Sequence, residues 1–277
     1  MRRILLFYIT RVDAVPNRMQ PVVVGALSRY IMAMRFPVQF VLFCAVLSGC
    51  QPEIEDLTYP VTVDGVSYGV VQIGEQVWFA ENLQTTVYAN GDSIPTGLTG
   101  LFANSEWATT TEGAMAVYGD GIYSLCEEHS PAIDACDEAQ SLEAYGRLYN
   151  WYAVMDSRGL CPSGWHVPTD EDWTQLEDHV EAHVFEGQEG RALKTISGWM
   201  LGQNGTDDFG FAAPPGGYRG WDYGNFDMAG AGGNWWSSSA DGEDAICRFL
   251  YTTPSGLDRN QVHPRAGYSV RCLRDAE

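Results

Sequence analysis

LCPSGWHVPTDEDW, at residues 160–173, and SVRCLRD, at residues 269–275, are the stretches of this 277-residue chain that most restrict its fold. Each stretch carries one cysteine, Cys161 and Cys272, and the two are more than a hundred positions apart. A disulfide between them would close a long loop and stabilise the folded state by about 4–5 kcal/mol in the chain-entropy model. We therefore predict that a Cys161–Cys272 disulfide ties the middle of the chain to its C-terminal end.

The first stretch also contains the start of a helix. Thr169 can cap its N-terminus, and Asp172 follows at capping-box spacing. Four apolar residues then recur at helical spacing: Trp173, Leu176, Val180 and Val184. Gly187 is expected to end this helix, and a second short helix is predicted at residues 190–196.

The remaining cysteines fit an oxidising compartment. A Cys126–Cys136 disulfide would close a short acidic insertion and contribute about 3 kcal/mol. Cys247 is then left over in the strand-like run AICRFLY, at residues 245–251, and is predicted to be a buried free thiol.

The rest of the chain predicts strands and long loops. Asp64-Gly65 is a hairpin signal between residues 61–63 and 66–73, and residues 77–79 would complete a three-stranded meander. After Ser197 the sequence is rich in glycine, proline and aromatic residues, which indicates long ordered loops before strands at residues 247–251 and 268–273. The pattern is that of an α+β domain.

The N-terminal region is typical of an exported lipoprotein. The apolar run at residues 40–47 is too short to span a bilayer, and LSGC at residues 47–50 resembles a bacterial lipobox. We interpret residues 1–33 as an upstream extension, residues 34–49 as the signal peptide and residues 50–58 as an acidic leader. Cys50 would carry the acyl chains that anchor the protein to a membrane. Residues 59–277 would form the domain.

The charge of the chain after the signal supports this location. Residues 50–277 carry 10 basic and 35 acidic side chains, a net charge of −25 that disfavours nucleic acid as a partner. Gln51 stands where an inner-membrane retention signal would place aspartate. The acidic leader resembles the surface-export signal of Bacteroidetes lipoproteins. An outer-membrane lipoprotein on the cell surface is predicted, with the periplasmic face as the alternative.

Six stretches resemble one protein family in the order in which that family carries them. They are VDGVSYGVVQIGEQVWFAENL (63–83), YGRLYNWYAV (145–154), LCPSGWHVPTDEDWTQLE (160–177), NGTDDFGFAAPPGGYR (204–219), NWWSSS (234–239) and GYSVRCLRD (267–275). The chain resembles the Fibrobacter succinogenes major paralogous domain proteins. This resemblance implies a secreted or lipid-anchored module of unassigned activity.

Three shorter segments resemble formylglycine-generating-enzyme-like domains. They are WHVPTDEDW (165–173), NFDMAGAGGNWW (225–236) and GYSVRCLR (267–274). This second resemblance implies a C-type-lectin-like fold: a twisted, mostly antiparallel sheet, about two helices, paired N- and C-terminal strands, and a long loop region that displays a binding surface. The related enzymes hold copper between two cysteines near the C-terminus. Here Cys247 and Cys272 lie in that region, but Cys272 is assigned to the disulfide, which disfavours a copper oxygenase.

The sequence offers weak signals for metal binding. His179 and His183 lie one helical turn apart, but no third ligand follows at a fixed spacing, so we interpret them as solvated helix residues. Asn204, Asp207 and Asp208 could donate oxygen ligands to structural calcium, yet the same residues are good turn formers. No resident cofactor or catalytic residue is predicted, and structural calcium at these three residues stays open.

Aromatic residues in the C-terminal third are the best functional signal. Five fall within sixteen positions: Trp221, Tyr223, Phe226, Trp235 and Trp236. Flat rings beside hydrogen-bonding side chains suit a sugar ring or a protein partner. We predict an exposed pair, Trp221 and Tyr223, with Arg219 and Asn225 as polar partners and Trp236 as a further candidate. Adjacent Trp235 and Trp236 would face opposite sides of an extended chain, so at least one is expected in the core.

Other tryptophans lie in the patterned stretches and are expected in the core: Trp78, Trp151, Trp165, Trp173 and Trp199. The sequence as a whole predicts a non-catalytic module that binds polysaccharide or a cell-envelope protein through residues 214–239. The alternatives are a copper oxygenase of the formylglycine-generating type and a structural component of the envelope or of adhesion.

Overall fold

The computed structural model describes residues 60–121, 130–252 and 256–276. All described residues belong to one compact unit, Glu53–Glu277. Cys50, the rest of residues 1–59, and Cys126 of the predicted second disulfide lie outside the described residues. In the part that is described, no helix is long and apolar enough to cross a membrane.

The described residues form twelve strands and five α-helices. The strands are β1 (Val61–Val63), β2 (Val66–Tyr68), β3 (Val70–Ile73), β4 (Gln76–Phe79), β5 (Met115–Val117), β6 (Arg147–Tyr149), β7 (Gly216–Arg219), β8 (Phe226–Ala229), β9 (Gly232–Asp241), β10 (Asp244–Tyr251), β11 (Asp258–Val262) and β12 (Leu273–Asp275). The helices are α1 (Glu106–Thr109), α2 (Glu138–Tyr145), α3 (Trp151–Val154), α4 (Asp170–Glu181) and α5 (Glu189–Leu193), with a short 3₁₀ turn at Met200–Gly202.

The strands are arranged in four small sheets. The largest has the order β11-β10-β9-β7-β8, and a three-stranded sheet has the order β12-β4-β3. The β1-β2 and β5-β6 pairs form two-stranded sheets. Pairing within the sheets is antiparallel apart from the β7–β9 contact, where Gly217 lies opposite Gly233 in parallel register. The predicted α+β class is therefore confirmed.

The predicted hairpin at Asp64-Gly65 is confirmed, since β1 pairs with β2, but the predicted three-stranded meander is not formed. The run at residues 66–73 is two strands that are separated at Gly69. The Gly69 N–H donates to the Glu81 carboxylate at 2.8 Å, and its carbonyl accepts from the Ala80 N–H at 2.9 Å. As a result β2 pairs with β1, while β3 pairs with β4 in a different sheet.

Helix α4 follows its prediction closely at the N-terminus. The Thr169 hydroxyl accepts from the Asp172 N–H, and the Asp172 carboxylate accepts from the Thr169 N–H, which completes the capping box. The buried stripe is Trp173, Leu176 and Val180. The helix ends at Glu181 rather than near Gly187, and α5 covers Glu189–Leu193 rather than residues 190–196.

The expected number of about two helices was too low. Helices α1, α2 and α3 have four, eight and four residues, too short to show a periodic apolar pattern. Each begins at a polar residue whose side chain accepts a hydrogen bond from the first turn: Ser105, Asp137 and Asn150.

The glycine-rich region after Ser197 contains strands where long loops were expected. Strand β9 is ten residues long and lies between β10 and β7, and it buries a different hydrophobic cluster on each face. Trp235 packs with Trp78, Trp173 and Phe211 in one cluster, whereas Trp236 packs in the other with residues such as Tyr149 and Tyr268. Both tryptophans are fully buried because adjacent residues of a strand point to opposite faces.

The long-range disulfide is confirmed. Cys161 and Cys272 are bonded, with their Cα atoms 5.8 Å apart and a sequence separation of 111. Strand β12 follows at once and pairs with β4, so the C-terminal end is attached to the beginning of the described domain. Cys247 is a buried free thiol, as predicted, and burial raises its pKa to about 12.

Of the tryptophans expected in the core, Trp78, Trp173 and Trp199 are fully buried. Trp151 and Trp165 are partly buried against the cluster that contains Trp236. The hydrophobic clusters and the Cys161–Cys272 disulfide all lie within Glu53–Glu277. A unit with its own cores is expected to fold alone, so Glu53–Glu277 is the material for experiments in solution.

Candidate functional site

The loop at residues 220–225 joins β7 to β8 and is held in a tight turn. The Gly220 N–H donates to the Asn225 carbonyl at 2.7 Å, and the Gly224 N–H donates to the Gly220 carbonyl at 3.1 Å. Gly224 has a φ of 72°, a conformation that glycine adopts without strain. The Asp222 carboxylate accepts from the Tyr223 N–H at 3.0 Å. The loop is thus ordered by its own backbone.

The two aromatic residues predicted to be exposed are exposed. Trp221 keeps 44% of its surface accessible and Tyr223 keeps 50%. One face of the Trp221 indole stacks on the His263 imidazole, with ring centroids 4.9 Å apart and planes 15° from parallel. The stack restricts the Trp221 ring, so less rotamer freedom would be lost when a partner binds its accessible part.

His263 is a site residue that the sequence did not reveal. It lies about forty positions from Trp221 and has no motif around it. Its Nδ1 accepts from the Arg265 N–H at 3.2 Å. Burial and the nearby Arg265 cation lower the pKa of His263, so the imidazole that supports Trp221 is neutral at pH 7.

The placement predicted for Arg219 is wrong. Its side chain is 2% exposed, because β7 directs it inward beneath the loop. Nε donates to the Gly224 carbonyl at 3.1 Å, and Nη2 donates to the Leu98 carbonyl at 2.6 Å. The guanidinium lies over the Trp107 ring at 4.2 Å, and burial lowers the pKa of Arg219 to about 10. Arg219 therefore supports the loop from below and does not face a ligand.

Trp236 is also excluded from the exposed site. It is fully buried, its Nε1 donates to the Tyr149 carbonyl at 2.7 Å, and its ring packs on Tyr268 at 4.7 Å. Asn225 is half-buried at the end of the loop, and its Oδ1 would lie 2.7 Å from a Cβ added at Gly220. Of the residues predicted for binding, only Trp221 and Tyr223 are strongly exposed.

A second loop, at residues 98–105, lies against the first. A Cβ added at Gly100 would lie 2.4 Å from the Gly224 carbonyl oxygen, so the two backbones are in direct contact. The Ser105 hydroxyl lies 3.5 Å from the Tyr223 carbonyl oxygen. Leu101 has a φ of 77°, unusual for a residue with a side chain, and the next residue, Phe102, is 65% exposed. We call Phe102, Trp221 and Tyr223 the aromatic surface.

The three residues considered for calcium act in turns. The Asn204 side-chain oxygen accepts from the Trp199 N–H at 3.0 Å, and Asp207 accepts from the Ala212 N–H at 2.7 Å. The Asp208 carboxylate accepts from the Thr206 hydroxyl at 2.9 Å. Within the described ranges, no group of three or more His, Cys, Asp or Glu side chains is arranged to hold a metal ion.

The cysteine pair that a copper oxygenase of the formylglycine-generating type would need is not available. Among the cysteines that the structure describes, Cys272 is bonded to Cys161 and Cys247 is a free thiol. The Cys247 sulfur is buried and lies 3.6 Å from the Asn260 carbonyl oxygen. Cys247 and Cys272 therefore cannot together supply the two thiolates of such a site.

Fold and surface together define a mixed α+β domain with one long-range disulfide and an exposed aromatic loop. A family model described as the Fibrobacter succinogenes major domain matches residues 71–274, which is most of the chain. The chain belongs to this family. No curated protein and no solved structure matches it.

Proposed function

We propose that this protein is a non-catalytic binding module that holds a saccharide chain on the aromatic surface. The observation that carries the proposal is the exposed Trp221, held flat by His263 beside the exposed Tyr223. Sugar rings present flat C–H faces that pack on aromatic rings, and the hydroxyls at their edges need hydrogen-bonding partners. Asp222 and Asn225 in the same loop supply such groups.

The charge of the domain favours a neutral saccharide over an acidic one. Residues 53–277 carry a net charge of −25, which repels polyanions at low ionic strength. Several of the few cations are turned inward: Arg219, Arg248, Arg271 and Lys194. Binding through ring stacking depends little on salt, so it suits a strongly acidic domain.

The fold proposed for this module is C-type-lectin-like. Support comes from the antiparallel pairing of β12 with β4, which joins the two ends of the domain, and from an aromatic loop that projects from the C-terminal half. Among the described strands β1 pairs only with β2, so the joining strand at the N-terminal end is β4 rather than β1.

The proposed location is the outer membrane, with the domain displayed on the cell surface through acylated Cys50. The lipobox-like LSGC at residues 47–50 supports this anchor. Cys50→Ser should release the protein from the membrane fraction and abolish incorporation of labelled fatty acid. An unchanged membrane fraction in that variant would contradict the anchor.

The binding proposal is tested with Glu53–Glu277 on a panel of neutral, uronic and amino polysaccharides, beside a Trp221→Ala, Tyr223→Ala double variant. We expect at least one neutral polysaccharide to bind, and the double variant to bind at least about tenfold more weakly, because truncating a central aromatic contact costs about 1.4 kcal/mol or more. Phe185→Ala is the matched control, since Phe185 is 88% exposed after α4 and should contribute nothing.

Two outcomes would contradict the proposal. Binding that is equally strong in the double variant would show that the aromatic surface is not the site. A wild-type domain that ignores every polysaccharide but captures an envelope protein through Trp221 and Tyr223 would assign the same surface to a protein partner.

A further inference from the structure

The end of α4 carries a pair of histidines outside the aromatic surface. His179 is in the last turn of the helix and His183 lies just beyond it, with ring centroids 4.3 Å apart and planes at 31°. Both rings lie within 6.4 Å of the Phe209 ring. A Cβ added at Gly74 would lie 2.9 Å from His179 Nδ1, so this ring lies against the turn between β3 and β4.

The hydrogen bond of His183 determines which of its nitrogens is free. Its Nδ1 lies 2.7 Å from the His179 carbonyl oxygen. A carbonyl oxygen can only accept, so Nδ1 carries the proton and Nε2 of the neutral ring keeps its lone pair. Metal-binding histidines are commonly oriented in this way, by a carbonyl that accepts from the other ring nitrogen.

The electrostatic environment favours a cation at this place. The C-terminal end of a helix carries partial negative charge, and Asp178, Glu181 and Glu186 are close in sequence. Asp208 lines the same surface cavity of about 300 Å³ as His183, together with one cation, Arg191.

We propose that His179 and His183 together bind one late first-row transition-metal ion, of the class of Cu²⁺, Ni²⁺ and Zn²⁺. Imidazole nitrogens suit these ions, whereas Ca²⁺ and Mg²⁺ prefer oxygen ligands. In the described part of the chain the pair belongs to no group of three or more His, Cys, Asp or Glu ligands, so water or a small anion completes the coordination. The site is therefore open to exchange and binds more weakly than a closed structural site.

The test is a titration of Glu53–Glu277, free of any affinity tag, with nickel, copper or zinc chloride. We expect saturation at one ion per chain by calorimetry. We also expect a thermal unfolding midpoint that rises with metal concentration, because the ion binds the folded state. Calcium and magnesium chloride at the same concentrations should leave the midpoint unchanged.

His179→Gln is the decisive variant. It removes one ligand but leaves the backbone carbonyl to which His183 donates, so the helix end keeps its hydrogen bond. Metal affinity should fall at least about tenfold, because a single imidazole remains. His166→Gln makes the same exchange near the other end of α4 and should bind the ion as the wild type does.

Wild-type protein that binds no ion more tightly than the His179→Gln variant would overturn the proposal. Equal loss of affinity in His179→Gln and His166→Gln would overturn it as well, since it would indicate scattered binding to surface histidines. Neither result affects the aromatic surface, because no residue is shared between the two proposals.

Discussion

Trp221 is the residue on which the binding proposal depends most. The chain has nine tryptophans, all within the described residues, and Trp221 is the one whose side chain is strongly exposed. An exposed indole loses contact with water at little cost when a flat, apolar face covers it. Its neighbours in the structure fix it in place: His263 stacks on one face, and Arg219 holds the loop from beneath.

Arg219→Met tests this supporting role. Methionine fills similar space but donates no hydrogen bonds to Gly224 and Leu98, and it leaves the half-buried Asp120 without the guanidinium 3.8 Å away. We expect a loss of about 2–4 kcal/mol in the free energy of unfolding, measured by urea denaturation. Arg265→Met, which removes one bond to the Thr110 carbonyl, should cost clearly less.

A variant as stable as the wild type would show that the loop does not need Arg219. Saccharide affinity should also fall in Arg219→Met under conditions where the domain stays folded, because the loop that presents Trp221 loses its anchor.

At the residue scale, the sequence predicted the exposure of a side chain correctly only where the neighbouring residues in sequence determine it. Glycines flank Trp221 and Tyr223, and both are exposed. Arg219 and Trp236 were placed wrongly because their burial depends on strands and loops distant in sequence, such as Leu98 and Tyr149. The contact between His263 and Trp221 is equally distant and left no local signal.

At the element scale, the N-terminus of α4 links helix capping to pH. Asp172 accepts from Thr169 N–H at 2.7 Å and lies 3.3 Å from His166 Nε2. The hydrogen bond with Asp172 raises the pKa of His166 above its usual 6.5. For Asp172, burial acts to raise the pKa, but the bonds from His166 and Thr169 outweigh it and lower the pKa below its usual 3.8.

The two shifts define a pH window for this stabilisation. The raised pKa of His166 adds stability below pH 6.5, and this stability is lost as the pH rises through the folded-state pKa. The lowered pKa of Asp172 adds stability above pH 3.8, and this stability is lost on acidification. Wild type should therefore exceed His166→Gln in stability between these values. The difference should be below about 1 kcal/mol, because His166 is almost half exposed.

Urea denaturation of both proteins at pH 5.5 and at pH 9 measures this difference. It should shrink at pH 9, where His166 is neutral in the folded and unfolded states. A difference that is constant or grows with pH would assign the effect of His166 to packing instead.

The sequence predicted a helix correctly where an N-terminal capping motif is followed by a long row of apolar residues at helical spacing. Helix α4 has both, and its N-terminus was located correctly from Thr169 and Asp172. Strands β7, β8 and β9 were expected as loops because glycine and proline are common there, yet neighbouring strands supply their pairing. Local propensity cannot report such partners.

At the scale of the whole molecule, charge dominates the surface. Residues 53–277 carry a net charge of −25, and much of the positive charge is buried or paired inside the domain. Repulsion among the exposed carboxylates opposes the compact state. This repulsion is screened as the Debye length falls from about 30 Å at 0.01 M to about 3 Å at 1 M ionic strength.

The thermal unfolding midpoint of Glu53–Glu277 should therefore rise with sodium chloride at pH 7, most steeply at the low end of the range. The rise should be much smaller at pH 4, where many carboxylates are protonated. A midpoint that is independent of salt at pH 7 would show that the carboxylates are too far apart to repel each other appreciably.

The features of the whole molecule that the sequence predicted are those that a few residues or short motifs determine. Cys161 and Cys272 formed the expected disulfide, and the quoted stretches indicated the family that residues 71–274 match. The arrangement of four small sheets could not be predicted, because it depends on pairings such as β7 with β9 and β5 with β6 that have no motif. The contact between the loop at residues 98–105 and the loop at residues 220–225 could not be predicted either.

Oxidative footprinting of the nine tryptophans, read by mass spectrometry, tests the central claim most directly. In free Glu53–Glu277, Trp221 should be oxidised well before the other eight, which are buried or partly buried. Soluble neutral polysaccharide should protect Trp221 and leave the order among the others unchanged. Unchanged oxidation of Trp221, or protection centred on Trp151 or Trp165, would contradict a binding site at the aromatic surface.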